Sequence, residues 1–444
     1  MPGQLCFVLM PFGQKPDAGG AVIDFDAVYR DIIAPAIRDA DMEPLRADEE
    51  VTGGIIHKAM FERLILCEYA VADLTTANAN VFYELGVRHA VRPWSTVALF
   101  AKGSRLPFDV TMLRAIPYTL TPAGTPDDID STRKSLTAQL SEARKAIKDS
   151  PVFTLIEGMS EQRIDREKTD AFRDRVSYSL HLKDRLAAAR QRGVEAVQAV
   201  ESELGNIADA ESGVVIDLFL SYRAVRAWGD MIRLVERMSP PLAATVMVQE
   251  QLALALNRVG DGAQAETVLT RLLEKRGPSS ETYGILGRVY KDRWEEAAKD
   301  SRRPYLARGL LDKAIDAYVR GFEADWRDAY PGINAVTLME LRDQPDPRQQ
   351  QLLPVVVYAV ERRIAAGKPD YWDHATQLEL AVLARDEAKA ESALASALAA
   401  VREPWEPETT ARNLRLIREA REQRHTAIPW AAQMEEALLE RSKA

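Results

Sequence analysis

The chain has 444 residues and a formal net charge of −9 at pH 7, with 46% hydrophobic and 28% charged residues. That length predicts two or three domains, and the acidic balance argues against broad binding to nucleic acid or to anionic membranes. Cys6 and Cys67 each lie in an apolar run, so a disulfide framework is not indicated. The first apolar run is too short for a membrane span and has no basic start, so a cytoplasmic location is expected.

The first 120 residues alternate short apolar runs with helical patterns. Strands are predicted at 4–10, 43–47, 70–73, 96–100 and 116–120, and helices at 25–40, 55–68 and 80–91. Strands and helices that alternate in this way form parallel sheets with right-handed crossovers. The predicted fold of residues 1–122 is therefore an α/β doubly wound parallel sheet of the flavodoxin-like type. Pro35 is expected to kink or shorten the first helix, and the polar segment before Gly20 is expected to be a loop.

The stretch 72–90 contains the strongest candidate for a functional site. Asp73 ends an apolar run and Glu84 lies in the first turns of the following helix, one turn beyond Asn80. Ligand crevices of open α/β sheets form at this kind of strand end, and a helix N-terminus favours an ionised carboxylate. A carboxylate held there can attack a carbon or stabilise a cationic one. In the structural alternative, Asn80 is the helix N-cap and Glu84 only complements the helix dipole.

From residue 127 onward the sequence is almost entirely helical, with one helix predicted at 125–152 and a helical connector over 123–203. Large and small residues then alternate in the manner of a tetratricopeptide repeat, at Leu252, Ala253, Leu256, Ala265 and Leu269. The pattern returns 34 residues later at Leu286, Gly287 and Tyr290, and an insertion at 293–308 displaces its second helix, which resumes at Ala314, Tyr318 and Phe322. Residues 204–444 are therefore predicted to form an all-α tetratricopeptide-like solenoid, whose concave surface would bind protein partners.

The helical part resembles a known signalling region. The strings GRVYKD at 287–292 and PGIN at 331–334 are similar to the central regulatory region of the apoptosis signal-regulating kinases, which is also described as a TRAF-binding domain. The resemblance runs from about Leu204 to near the C-terminus and implies a tetratricopeptide-like scaffold. A glycine-rich loop with its lysine, an HRD motif and a DFG motif are all missing from the sequence, so a kinase domain is not expected here.

The N-terminal part resembles the deoxyribohydrolase-like group, relatives of nucleoside deoxyribosyltransferases and of TIR domains. The matching strings are FVLMPFG at 7–13, RADE at 46–49 and ADLTTANANVFYELGVRHA at 72–90. The resemblance implies that Glu84 attacks an anomeric carbon, that Asp73 orients or protonates the base, and that Asn80 contacts a sugar hydroxyl. Its further ligand-binding residues would be Met10, Pro11, Phe12, Gly13, Arg46, Asp48, Asn78 and Tyr83. Arg46 could instead pair with Asp48 or Glu49.

The isolated histidines and the cysteines do not have the spacing of a metal site, and no cofactor is expected. The tryptophans of the C-terminal half are interpreted as packing anchors, with a peptide groove as the alternative.

Two hypotheses follow. In the first, the chain is an enzyme of signalling, stress response or bacterial immunity that cleaves or transfers an N-glycosidic bond in a nucleoside, nucleotide or NAD-like substrate, under the control of the helical array. Asn78-Ala79-Asn80 stand where the deoxyribosyltransferase-like family carries an acidic residue. In the second hypothesis the chain is therefore a non-catalytic nucleotide-sensing scaffold, which binds protein partners or itself through the array.

Overall fold

The computed structural model describes residues 4–17, 19–46, 56–106, 115–145, 149–156, 159, 166–367 and 369–443. The chain forms two compact units. The first comprises Met1–Arg226 and Arg237–Thr245, and the second comprises Ala227–Glu236 and Val246–Ala444. The segment 123–203 falls within the first unit, and the division at 122 and 203 stays a prediction.

The first unit contains a six-stranded mixed sheet. Its strands lie in the order β4-β1-β5-β6-β7-β8, of which the first five are parallel and β8 is antiparallel to β7. A separate antiparallel hairpin joins β2 and β3, so the loop predicted before Gly20 is wrong over part of its length. The strands are β1 (Gln4–Leu9), β2 (Gln14–Pro16), β3 (Val22–Asp24), β4 (Met42–Arg46), β5 (Tyr69–Asp73), β6 (Thr96–Ala101), β7 (Ile116–Leu120) and β8 (Pro126–Asp127).

Helices cover both faces of this sheet. Because successive side chains of a strand point to opposite faces, Cys6 and Val8 of β1 enter one core while Leu5 and Phe7 enter the other. Both β1 and β5 are almost wholly buried, which explains their continuous apolar sequences. The helices up to residue 245 are α1 (Phe25–Val28), α2 (Ala34–Asp39), α3 (Ile56–Leu66), α4 (Ala79–Val91), α5 (Ile129–Ala143), α6 (Pro151–Leu155), α7 (Arg166–Arg190), α8 (Val194–Glu203), α9 (Ser212–Ala224), α10 (Trp228–Arg237) and α11 (Pro240–Ala243).

Two helical predictions need correction. The helix predicted at 25–40 is divided by a π-helical stretch, Tyr29–Ile33, directly before Pro35, whose ring cannot follow a regular helical turn. The single helix predicted at 125–152 is wrong. Helix α5 begins after the short strand β8 and α6 begins after Ser150, and Leu136 and Leu140 of α5 pack in the core of the sheet.

Helix α7 joins the sheet to the helices that follow it. Phe172 and Val176 pack in the same core as Leu5 and Phe7, and Arg173 pairs with Glu68. The C-terminal part of α7 packs against α8 and α9. Since one continuous helix takes part in both sets of contacts, the sheet and these helices belong to one compact unit.

The second unit is an array of antiparallel helix pairs. Each pair packs together, and the first helices of successive pairs also pack against one another. Besides α10, whose residues up to Glu236 belong to this unit, the helices are α12 (Val246–Arg258), α13 (Gly262–Arg276), α14 (Ser280–Ala298), α15 (Pro304–Ala324), α16 (Ala329–Glu340), α17 (Arg348–Ala366), α18 (Tyr371–Ala384), α19 (Glu387–Ala399), α20 (Trp405–Gln423) and α21 (Ala431–Lys443). No helix in the described ranges is both long and apolar enough to cross a membrane.

The residues of the predicted repeat signature lie in one core. Ala253, Ala265 and Leu269 are buried together with Leu286 and Tyr290. A Cβ atom on Gly287 would approach the ring of Tyr318 to 2.7 Å, so this position requires the smallest residue. The predicted insertion at 293–308 lengthens both α14 and α15 rather than forming a loop throughout.

Helix α16 lies at the centre of the array and is buried on almost every side. It packs against α14, α15, α17, α18 and α20. A helix that is apolar all round its circumference is expected in such a position. The first helices of the later pairs therefore converge on α16.

Candidate functional site

Several predicted site residues come together at the carboxyl edge of the sheet. The segment Met10–Gly13 follows β1, and Arg46 and Asp73 end the two strands on either side of it. The register pairs Val8 with Arg46 and Leu9 with Ala72. The three strand ends therefore lie side by side, at the place where parallel α/β sheets bind ligands.

Asp73 is held in a buried hydrogen-bond network. It is only 1% exposed, and it accepts hydrogen bonds from the backbone N–H of Thr75 at 3.0 Å and from the Thr75 hydroxyl. The Tyr118 hydroxyl donates to its other oxygen at 2.9 Å. Burial raises the pKa of Asp73 to about 6, against the lowering effect of these donors. The network fixes the turn after β5 and leaves Asp73 with little capacity to contact a substrate directly.

Glu84 has the opposite environment. Its carboxylate is half-buried on α4, and within the described part of the chain no group donates a hydrogen bond to it and no cation pairs with it. Burial raises the pKa of Glu84 to about 7. A carboxyl group with such a pKa can exchange a proton near neutral pH, which suits acid–base chemistry.

Arg46 is engaged within the protein. It pairs with Asp26 at 2.9 Å, and its guanidinium carbon lies 4.3 Å from the centre of the Tyr29 ring and 5.7 Å from that of Phe12. Asp26 also accepts a hydrogen bond from the backbone of Gly13 at 3.2 Å. The structure thus joins Arg46 to the segment after β1 through Asp26. The alternative partners Asp48 and Glu49 lie outside the described residues.

The other residues around these strand ends differ in what they offer a ligand. The side chains of Met10 and Pro11 are buried, and Met10 belongs to the core, whereas Phe12 is 38% exposed. Asp48, predicted to bind the ligand, lies outside the described residues.

On α4 the N-cap is Asn78, because its side chain accepts hydrogen bonds from the backbones of Asn80 and Val81. The structural alternative that assigned the cap to Asn80 is therefore wrong by two residues. Asn80 is exposed, and Tyr83 is 58% exposed with its ring edge-on to Phe61.

Arg88 is the residue that sequence reasoning missed. It is fully buried, and it donates hydrogen bonds to the carbonyls of Leu64 at 2.8 Å and Cys67 at 2.7 Å, beyond the last turn of α3. Burial lowers its pKa to about 10, and the nearby charge of Arg92 acts in the same direction. The spacing of Arg88 from Glu84 on one helix face could have drawn attention to it, but the Leu64 and Cys67 carbonyls that it binds lie more than twenty residues away in the sequence.

Among the residues that the structure describes, no group of three or more His, Cys, Asp or Glu side chains is placed to hold a metal ion. His89 is buried, and burial lowers its pKa to about 4, so it is neutral at pH 7.

The second unit has a polar seam where α14, α16, α18 and α20 face one another, called the inner face below. Glu379 of α18 accepts hydrogen bonds from Asn413 at 2.7 Å and from Thr337 at 3.3 Å. Across the same face, Arg412 of α20 pairs with Glu295 of α14. The inner face is therefore filled by side chains of the array itself.

A family model described as the MAP3K TRAFs-binding domain matches residues 81–436. The chain belongs to this family. The match begins within α4 and ends within α21, so it covers nearly all of the array of helix pairs together with β6, β7, β8 and the helices α5 to α11. Membership of the TRAFs-binding domain family agrees with the resemblance of the helical part to a TRAF-binding region, while the deoxyribohydrolase-like resemblance of the N-terminal part stays a prediction.

Relatives of this TRAFs-binding domain chain are kinases of one class. Mitogen-activated protein kinase kinase kinase 15 of Mus musculus is 26% identical over 399 residues, which are 81% of this chain and 29% of that protein. Mitogen-activated protein kinase kinase kinase nsy-1 of Caenorhabditis elegans is 30% identical over 220 residues, 45% of this chain and 14% of that protein. The chain spans less than a third of the length of either relative.

Solved structures similar to this TRAFs-binding domain chain include two repeat proteins. A thermophilic TPR protein of Thermus thermophilus is 15% identical, with 46% of this chain and 99% of that chain covered and a TM-score of 0.34. A tetratricopeptide repeat protein from Parabacteroides merdae is 11% identical, with 62% and 100% covered and a TM-score of 0.34. TM-scores this low carry no argument, so the repeat assignment rests on the helix pairs and core residues described above.

Proposed function

We propose that the chain is a protein-interaction scaffold of a signalling or stress-response pathway, located in the cytoplasm. The observation that carries this proposal is the family match over residues 81–436, which spans the array of helix pairs from α12 into the last helix, α21. Helix-pair arrays present extended surfaces that bind other chains, and the family's description suggests a TRAF-type partner.

The filled inner face restricts where that partner binds. Arg412 and Glu295 pair across it, and Glu379 is already bound by Asn413 and Thr337. An extended peptide would have to displace these contacts and leave the buried Glu379 without its hydrogen-bond donors, which is costly. The partner surface is therefore assigned to the outer faces and edges of the array.

Binding of the full chain to a purified TRAF domain, measured by isothermal titration calorimetry, tests the scaffold function. We expect saturable binding that Arg412→Ala leaves within about twofold, because an exposed ion pair contributes little and the partner lies elsewhere. Failure to bind would overturn the TRAF-type partner. A loss of binding in Arg412→Ala, with an unchanged melting temperature, would place the partner on the inner face instead.

A second candidate function belongs to the sheet edge, as a deoxyribohydrolase-like domain of flavodoxin-like topology that binds a nucleotide-type ligand or cleaves its N-glycosidic bond. The observation that favours it is the half-buried carboxylate of Glu84, which has no partner in the part of the chain that the structure describes and whose pKa is raised to about 7. Glu84 would be the nucleophile and Asp73 would act through the turn it fixes, with an oxocarbenium-like transition state. The strand order β4-β1-β5-β6-β7 supports the topology, since it corresponds to the order 2-1-3-4-5 of that fold.

The second function is tested by incubating the full chain with nucleosides, nucleotides and NAD and measuring released base by chromatography. Release that Glu84→Gln abolishes, with the fold intact, would establish the enzyme. If no base is released but one compound raises the melting temperature, the edge is a ligand sensor. If neither occurs, the sheet edge has no nucleotide function and only the scaffold remains.

A further inference from the structure

Two tryptophans meet where α18 and α20 begin. The ring centres of Trp372 and Trp405, called the Trp pair below, are 5.6 Å apart and their planes are inclined by 38°. Trp372 packs against the buried Tyr371, with ring centres 5.2 Å apart. Trp405 belongs to no buried core cluster of the described residues and is 49% exposed. Trp372 is therefore a packing anchor, whereas Trp405 presents an indole face to solvent beside it.

The two helix starts that carry the Trp pair are rich in acidic residues. The two helix starts, 369–373 and 402–408, carry five carboxylates and one guanidinium group. Asp370 caps α18 and Glu406 accepts hydrogen bonds from the backbones of Arg402 and Glu403, so these two acids satisfy helix ends. Arg402 lies between them, 3.3 Å from Asp370 and 3.8 Å from Glu406.

Two others of the five acids have no such role. Glu403 and Glu408 are exposed, and neither pairs with a cation of the described residues. Glu408 lies three residues after Trp405 on one helix, so both side chains share a face. Within the described part of the chain, no Lys or Arg lies over either indole ring. An indole face beside unpaired carboxylates attracts a cation, since the ring quadrupole and the carboxylate charges act in the same direction.

We propose that the Trp pair is a binding site for a basic segment of a partner protein, with an Arg or Lys side chain on the exposed face of Trp405 and Glu403 and Glu408 beside it. The proposal rests on the scaffold function above and adds to it the chemistry of the partner. The fifth acid, Asp373, pairs with Arg363 at 2.6 Å, so among the described residues of the two helix starts the unpaired charge is that of Glu403 and Glu408. An acidic partner would meet net repulsion at the same place.

The test is calorimetric titration of the full chain with a synthetic peptide of alternating arginine and glycine. Two control peptides are titrated under the same conditions. One has glutamate in place of each arginine, and the other is uncharged and proline-rich. We expect the arginine peptide alone to bind, and Trp405→Ala to weaken that binding at least about fivefold. Trp326→Ala is the matched control, because Trp326 is 52% exposed and lies outside the Trp pair, and it is expected to change the affinity less than about twofold.

Glu408→Gln is expected to weaken binding about twofold at low salt and less at high salt, since it removes a screened charge. Trp405→Phe keeps an aromatic body and is the second variant should Trp405→Ala unfold; it is expected to bind with intermediate affinity. Equal binding by the acidic peptide, binding of the proline-rich peptide alone, or no effect of either Trp405 variant would overturn the proposal. If a TRAF domain binds the chain but the arginine peptide does not, the scaffold stands and only the cation site fails.

Discussion

Arg88 in the first unit and Arg421 in the second are both buried, but different kinds of partner stabilise their charges. Arg88 donates to three backbone carbonyls and to the hydroxyls of Ser95 and Thr96, and no carboxylate of the described residues pairs with it. Arg421 pairs with Glu340 at 2.8 Å and donates to two carbonyls of α18.

The difference shows how each unit uses buried charge. Arg88 satisfies the orphan carbonyls beyond α3, so it stabilises a helix end. In the array, burial alone would raise the pKa of Glu340, but hydrogen bonds from Arg421 and Gln349 and the charge of Arg424 outweigh it and lower the pKa. Arg421 thus joins α16 and α20 through its ion pair with Glu340 and reaches α18 through two carbonyls, whereas the half-buried Glu84 of the sheet unit has no such partner among the described residues.

The largest expected effect is that of Arg88→Met. The substitution leaves the carbonyls of Leu64 and Cys67 buried without these donors, so we expect the first unit to lose about 3–5 kcal/mol of unfolding free energy. Calorimetric melting of the full chain measures it. Arg92→Met is the control: Arg92 donates to Ile65 at 2.8 Å but is only half-buried, so a smaller loss is expected. Equal losses would contradict the special role of Arg88.

Arg421→Met is expected to cost about 2–4 kcal/mol, because Glu340 stays buried with one fewer partner. Replacing Glu340 by Met as well should recover part of this loss, since no buried charge of the pair then lacks its partner. Chemical denaturation of the single and double variants measures the coupling. Additive losses would mean that the two side chains do not act as a pair.

Much of the sheet could be predicted, because each strand carries its own apolar pattern. β7 lies where it was expected and β5 ends at Asp73 as expected. The environment of the site could not be predicted, because it depends on contacts distant in sequence. Tyr118 reaches Asp73 from 45 residues away, and Asp26 reaches Arg46 from 20. Neither hydrogen bond leaves a local signal.

In the array, too, contacts between residues distant in sequence could not be predicted. The alternation at Ala253 and Leu256 predicts a helix pair because it is local. The closing of the inner face depends on Arg412 and Glu295, which are 117 residues apart. Repeat periodicity therefore indicates that helices stack, but the curvature of the stack follows from side chains that the period does not contain.

Glu84→Gln tests the unpaired carboxylate through pH. The folded-state pKa of Glu84 is raised from 4.5 to about 7, so the folded state disfavours the charged form. The contribution of Glu84 to the free energy of unfolding is therefore fully present below pH 4.5 and is lost as the pH rises through about 7. Glutamine does not titrate, so we expect the variant to be more stable than the parent at about pH 8, by about 1–2 kcal/mol of unfolding free energy. Near pH 4.5 the two proteins should be equally stable. A difference that is the same at both pH values would show that burial of charge is not its cause.

The smallest expected effect is that of Arg412→Ala. Arg412 is half-exposed, so its ion pair with Glu295 should contribute less than about 1 kcal/mol, and about 1 M salt should reduce the difference between parent and variant further. Hydrogen exchange of the α14 and α20 amides is the more sensitive measurement. If Glu379 and α16 hold the inner face closed without this pair, the protection of the amides in both helices against exchange stays unchanged. Faster exchange confined to α14 and α20 would instead show that this one cross-face contact keeps the inner face shut, and the array would then differ from the sheet unit in having a closure that a partner can open.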